Sequence, residues 1–373
     1  MTINPQNALM ASMRLYEAET SVDDIAARHA LDVRDVVDFS LNVNPFGPPE
    51  SAIAAARAAL GQSHLYPDLR FAELRAALAR RHGVHPDSLF FGAGLDDVIK
   101  LIVHAWTSDG DTVLLHLPTF PRYELEARLR GCRVICVEGD VPERTDVAGM
   151  HVALRAGTIA MTFVCSPNNP TGEKIPRDAI ASLARAADPG LLIVDEALLD
   201  PVEDGAVPLL AAHANLVVLR TFSKYFGLAG TRVGYAIAAP ALVRAAEVGR
   251  PPFNLARASV AAARAVLDDN AFLDTCRATF AQERAWFADA IADIPEVRIR
   301  GGNANMVLLD VDMPPDQAAD RLAAQGVVVA DATSFRGMER YRALRVSLRG
   351  RADNKKLLAA LRGIFNEPGK DGG

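Results

Sequence analysis

The stretch VVLRTFSKYFGLAGTRVGY, residues 217–235, sets one lysine, Lys224, where an apolar run ends. Thr221 and Ser223 precede it, and Gly227, Gly230 and Arg232 follow. That sets an amine, small hydroxyls and a guanidinium along one glycine-spaced loop. Comparable groups end other short apolar runs. Ser166-Pro167-Asn168-Asn169-Pro170-Thr171-Gly172 follows TFVC, and Asp195-Glu196-Ala197 follows LLIV. Gly94, Leu95, Asp96 and Asp97 follow SLFFGA, and Pro118-Thr119-Phe120 follows TVLLHL. Each has a plain structural explanation: Asn, Pro and Gly form turns, Asp195 suits a helix cap, Phe120 suits a core, and most lysines are solvated. The case for chemistry rests on all of them occurring together.

The elements that must position these groups alternate. Residues 71–83 and 95–106 have apolar residues three and four apart, as amphipathic helices do. Strand-length apolar runs lie at 111–117, 132–138, 158–165, 190–197 and 215–222. Several are apolar on both faces, as in a buried parallel sheet. Strands alternating with helices predict a doubly wound, mostly parallel α/β sheet, whose ligands sit at the strands' carboxyl ends. After about residue 255 the pattern changes. A long helical region, 258–294, precedes MVLLDV, another helix, GVVVAD, ALRVSLRG and a last helix. That predicts a smaller α+β domain over 258–373, after a large domain over 39–257 and an N-terminal arm over 1–38. The arm is expected to pack on the small domain or on a partner subunit, and the GKDGG tail to be disordered.

Composition narrows the class. The chain has 373 residues, half of them hydrophobic and 23% charged, with a net charge of −6. No basic run stands ready to neutralise phosphates, so nucleic acid is not an expected partner. No run of roughly 18 apolar residues predicts a membrane span. The N-terminus lacks the pattern of a signal peptide. Cys132, Cys136, Cys165 and Cys276 have no CxxC spacing and read as small buried hydrophobes of a cytoplasmic protein. Cys132 and Cys136 are expected to share one core face of a strand, and no metal site is predicted.

SPNNPTG, VDEA and TFSKYFGLAGTRVGY, in this order, resemble the fold-type-I pyridoxal-phosphate enzymes, aminotransferase class I/II. Within that family the chain is most similar to the histidinol-phosphate aminotransferase group and its relative, threonine-phosphate decarboxylase. The resemblance runs from about residue 38 to 365. It implies an aspartate-aminotransferase-like fold and pyridoxal 5'-phosphate as cofactor. By resemblance, Lys224 anchors the cofactor and then moves the proton, while Asp195 pairs with the pyridine nitrogen. Asn169 would bond the phenolic oxygen, and Phe120 would stack on the ring, with Tyr123 as the alternative. Gly94, Leu95 and Asp96 at a helix start, Thr221, Ser223 and Arg232 would hold the cofactor's phosphate. Tyr66, in LYPD, matches a tyrosine that reaches this phosphate from the other subunit, which implies a homodimer. Arg345 matches the arginine that binds an amino-acid-like substrate's carboxylate. Asn44 and Asn305 lie in matching substrate-site segments, where a turn or strand end explains them equally well.

The chain also departs from the family pattern. Leu198 stands where the family has a tyrosine that bonds the phenolic oxygen. Ala330 stands where the phosphate-substrate enzymes carry an arginine, and Arg336, Arg340 and Arg342 are the candidates to replace it. The expected reaction is amino transfer between an amino acid and a 2-oxo acid or phosphorylated carbonyl compound. The alternative is decarboxylation of a (phospho)amino acid. A non-catalytic domain of a regulator is disfavoured, because no helix-turn-helix precedes the domain and the Lys, Asp, Asn and Arg set is intact.

Overall fold

The structure, a computed structural model, describes residues 21–303 and 305–366. Most of the expected arm and the GKDGG tail lie outside the described residues. After the short strand β1 (Val37–Asp38), seven strands form one sheet. They are β2 (Leu89–Gly92), β3 (Thr112–Leu117), β4 (Arg133–Glu138), β5 (Met161–Cys165), β6 (Leu191–Asp195), β7 (Leu216–Thr221) and β8 (Gly234–Ala238). Their order is β2-β8-β7-β6-β5-β3-β4. Strands β3 to β7 pair in parallel, and β8 runs antiparallel to both β7 and β2.

The apolar runs form these strands because both sheet faces are covered. Leu114, Val164, Val194 and Val218 pack into one layer with Leu74, Leu78 and Leu183. Their chain neighbours Leu115, Phe163, Ile193 and Val217 pack into the opposite layer with Ile99, Ile102 and Val103. This is the period of two of a pleated strand buried on both sides, each such side chain contributing roughly 1.5–3 kcal/mol. Strand β4 is the sheet edge, so the expectation of two core cysteines there is only half right. Cys132 is buried just ahead of it, whereas Cys136 is half-buried and accepts a bond from Arg336.

The topology brings the carboxyl ends of β2, β3, β5, β6 and β7 to one edge: Gly92, Leu117, Cys165, Asp195 and Thr221. Strand β8 enters at this same edge, since Gly234 pairs with both Thr221 and Gly92.

The remaining strands are β9 (Val297–Asn303), β10 (Met306–Val311), β11 (Val327–Val328), β12 (Ala330–Asp331) and β13 (Ala343–Ser347). The antiparallel order is β12-β13-β10-β9, and β11 pairs in parallel with β1. The helical region 258–294 is two helices, Arg257–Val266 and Asn270–Ile291, rather than one. The break falls at the LDD of residues 267–269, where Asp269 accepts from the Phe272 N–H and caps the second helix. Phe39, fully buried, ties the segment after β1 to this sheet: its N–H bonds Val328 O and its carbonyl accepts from the Ser347 N–H. That segment then delivers Ser40, Asn42 and Asn44 toward the edge described above. Among the described residues, no helix is long and apolar enough to cross a membrane.

Candidate active site

Lys224 follows β7 and is half-buried. It lines a small recess with Asn42, Asn44, Leu198, Phe280 and Asn305. Asp195 ends the neighbouring strand β6 and is 2% exposed. Its Oδ2 accepts from the Tyr123 hydroxyl at 2.6 Å and its Oδ1 from the Ala197 N–H at 2.8 Å. Burial pushes the Asp195 carboxyl up to about 6, against the downward pull of these two bonds and of the Lys224 charge. Glu196 is pushed to about 7 by its own burial and pairs with Arg220 at 2.7 Å. That pair anchors the next loop, because Arg220 also donates to the carbonyls of Glu203 and Asp204.

A second cluster gathers backbone N–H, hydroxyl and guanidinium donors. Gly94, with φ of 88°, caps the helix Leu95–Trp106, so the N–H groups of its first turn face the sheet edge. Thr221 Oγ1 donates to Ser223 Oγ at 3.0 Å, and Arg232 Nη1 reaches Ser223 Oγ at 3.5 Å. Arg232 Nη2 lies 3.6 Å from Asp96 Oδ2. The fit is tight: a Cβ on Gly94 would sit 2.2 Å from Arg232 Nη2, and one on Gly234 would sit 2.6 Å from Leu95 N. The glycines are what allow the guanidinium and the helix start to come together.

The third cluster joins the two sheets. In SPNNPTG, the buried Asn168 donates to Pro118 O and to Thr171 Oγ1, both at 2.9 Å, and so locks the turn. Asn169 is left half-buried, its Oδ1 accepting from Arg345 Nη1 at 2.9 Å. Arg345, 3% exposed, also donates to Ser40 O and lies over the Phe335 ring at 5.4 Å. Phe120 is half-buried on the adjoining loop. Asn44 donates to Tyr225 O at 2.8 Å and Asn305 to Val43 O at 2.9 Å, so both side chains brace backbone while lining the recess. Tyr66 stands apart, 76% exposed and stacked on Phe253 at 4.5 Å.

Tyr123 is not the alternative stacking residue. It is fully buried, with its ring parallel to Phe163 at 4.7 Å and its hydroxyl on Asp195. The first-turn position of an aromatic three residues after Phe120 was the only signal for this. The Arg220–Glu196 pair was missed as well, since Arg220 reads as the end of a strand.

The departures have structural settings. Leu198 is buried and presents an apolar wall beside Lys224. Ala330 pairs with Arg345 across β12 and β13. The expected replacements are engaged elsewhere: Arg336 with Glu124 at 2.8 Å, Arg340 with Glu138 at 3.8 Å and Arg342 with Asp312 at 3.5 Å.

A profile of the family described as aminotransferase class I and II matches residues 34–362. A histidinol-phosphate aminotransferase of Methanoculleus marisnigri is 35% identical over 353 residues, which cover 94% of this chain and 96% of that one. The crystal structure of histidinol-phosphate aminotransferase from Sinorhizobium meliloti in complex with pyridoxal-5'-phosphate superposes with a TM-score of 0.85 at 26% identity, covering 96% of each chain. L-threonine-O-3-phosphate decarboxylase from Porphyromonas gingivalis superposes at 0.78 over 89% of this chain and 100% of that one, with 21% identity, a likeness of fold alone.

Proposed function

This chain belongs to the class I and II aminotransferases, enzymes that use pyridoxal 5'-phosphate, and from that premise we propose the roles of its residues and the class of its substrate. The donor set fits the cofactor. A buried carboxylate, Asp195, suits a protonated ring nitrogen, and the crowded cluster of Thr221, Ser223, Arg232 and the Gly94-Leu95-Asp96 helix start suits a phosphate. Asn169 would bond the phenolic oxygen and Phe120 would cover a ring face. When bound, the cofactor supplies an electron sink for charge leaving the substrate's Cα.

Lys224 would anchor the cofactor through its amine, and the same amine would carry the proton at the substrate's Cα. Asp195 would face the ring nitrogen and favour its cationic form. Arg345 grips the substrate's carboxylate with its planar fork and fixes which Cα bond reacts. Asn44 and Asn305 line the substrate side. Residues 39–257 form the cofactor-binding domain, residues 258–373 close over the substrate, and residues 1–38 serve as an arm. The enzyme acts as a cytoplasmic homodimer, with Tyr66 of each subunit completing the neighbouring subunit's phosphate site.

The substrate is an amino acid carrying one anionic group. The observation that supports this is Ala330 opposite Arg345, with Arg336, Arg340 and Arg342 each engaged by an acid. The test is a half-reaction screen. Purified holoenzyme is mixed with neutral amino acids, glutamate, histidinol phosphate and O-phosphothreonine, and loss of its absorption band is followed. Fast conversion by a neutral amino acid, with the aminated cofactor as product, is expected. Fastest conversion by glutamate or O-phosphothreonine, each with two anionic groups, overturns the single anion, and fastest conversion by histidinol phosphate, which has a phosphate and no carboxylate, overturns the amino-acid substrate. Released CO2 assigns decarboxylation instead, the reading that Leu198 beside Lys224 favours.

A further inference from the structure

Asp195 is held from two sides, and the two donors differ in kind. The Ala197 N–H is a backbone group two residues along the chain. The Tyr123 hydroxyl comes from a different element, 72 residues away in sequence. The Tyr123 ring cannot drift: it stacks parallel to Phe163 at 4.7 Å and meets the edge of Phe120 at 5.6 Å. Burial first, and then the Asp195 charge, push the phenol's ionisation well above the ordinary tyrosine range. It therefore remains a donor at every working pH.

We propose that Tyr123 is a positioning residue that acts through Asp195, keeping that carboxylate ionised and aimed at the cofactor's pyridine nitrogen. The proposal rests on the role given to Asp195 above. Full burial favours the neutral form of a carboxyl. The groups that face this one are the Tyr123 hydroxyl, the Cys165 thiol on β5, Lys224 after β7, Asp96 at the helix start and Glu196 on its own strand end. Lys224 favours the anion, and Asp96 opposes it. The Tyr123 bond is the largest counterweight to burial. Without it the carboxyl would take up a proton more readily or turn, and the ring nitrogen would lose its ionic partner.

Tyr123→Phe keeps the ring and its stacking and removes only the hydroxyl. A hydrogen bond to a charged group is worth about 1.5–3 kcal/mol, so kcat should fall about tenfold or more with KM within about twofold. Cofactor affinity, read by titrating the apoprotein with pyridoxal 5'-phosphate, should weaken severalfold. The pH titration of the holoenzyme's absorption band should shift. The same substitution in an Asp195→Asn background should change kcat and cofactor affinity by less than about twofold, because nothing is left to position. An equal loss in both backgrounds overturns the proposal. So does a Tyr123→Phe enzyme that matches the wild type while Asp195→Asn is crippled. If Asp195→Asn itself turns over at the wild-type rate, the role of Asp195 fails and Tyr123 falls with it. Should Tyr123→Phe not fold, 3-fluorotyrosine at position 123 alters only the hydroxyl's acidity. A shifted band titration then supports the proposal, and an unshifted one overturns it.

Discussion

A lysine is an ordinary residue until its surroundings limit what it can do. Lys224 is half-buried at the end of an entirely buried strand, with the Asp195 carboxylate on the strand beside it. Lys224→Ala should abolish turnover while the protein still folds and still binds cofactor through the anion cluster. Borohydride reduction followed by peptide mapping checks the anchor, and a label on Lys100 would contradict it. Asp195→Asn removes the charge but keeps the shape. The expected loss in kcat is at least about a hundredfold, roughly 3 kcal/mol of transition-state stabilisation, and near-wild-type turnover would refute the role. The same substitution has an opposite signature in the apoprotein. Burial raises the Asp195 carboxyl from 3.8 to about 6, so between those values the folded chain keeps a proton that the unfolded chain releases. Stability is therefore lost as pH rises through that window. The Asp195→Asn apoprotein lacks this loss. Its stability should gain on the wild type between pH 4 and pH 6 by up to about 3 kcal/mol, measured by denaturant melts at each pH.

At the scale of elements, the site works because a helix start, a strand end and a loop meet at one sheet edge. Gly94 shows the constraint most directly. Its φ of 88° disfavours any side chain, and an added Cβ would displace the Arg232 guanidinium. Gly94→Ala should weaken pyridoxal 5'-phosphate binding by about tenfold or more, read by fluorescence titration of the apoprotein, because the helix start and the guanidinium would no longer share one anion. Arg345→Lys should raise KM for the carboxylated substrate sharply, since an ammonium cannot make two parallel bonds; an unchanged KM would remove Arg345 from the clamp. The apolar runs of β3, β5, β6 and β7 were legible because burial on both faces leaves a signal that needs no partner to decode. The break at residues 267–269 was hidden because helical periodicity continues across it, and only the Asp269 cap marks the new start. Tyr123 was misread because a sequence gives a ring's place in a helix but not which way its hydroxyl points. The arginines at 336, 340 and 342 were open candidates because their acidic partners lie far away in the chain, on β4, on the helix before it and after β10.

At the scale of the whole molecule, one surface segment among the described residues gathers several exposed apolar groups. Tyr66 is 76% exposed, with Leu60, Leu65 and Leu69 exposed on the same segment and Phe253 stacked beneath the ring. The segment is pinned rather than loose: Arg257 donates to Tyr66 O and Gln62, and Arg250 donates to Leu69 O at 3.2 Å. Held apolar groups at the surface suit a second copy of the chain, and in a two-fold dimer each subunit gives what it receives. The anion cluster of Thr221, Ser223 and Arg232 would then be complete only with a tyrosine from the neighbour. Mixed dimers test this. Tyr66→Ala spoils the tyrosine that a subunit lends, and Lys224→Ala spoils the lysine that it keeps. Each variant alone should be severely impaired. Unfolded together and refolded, they should recover about a quarter of wild-type activity, because half the dimers are mixed and each mixed dimer holds one intact site. If Tyr66 served its own subunit's site, no site of a mixed dimer would hold both the tyrosine and the lysine, and mixing would restore nothing.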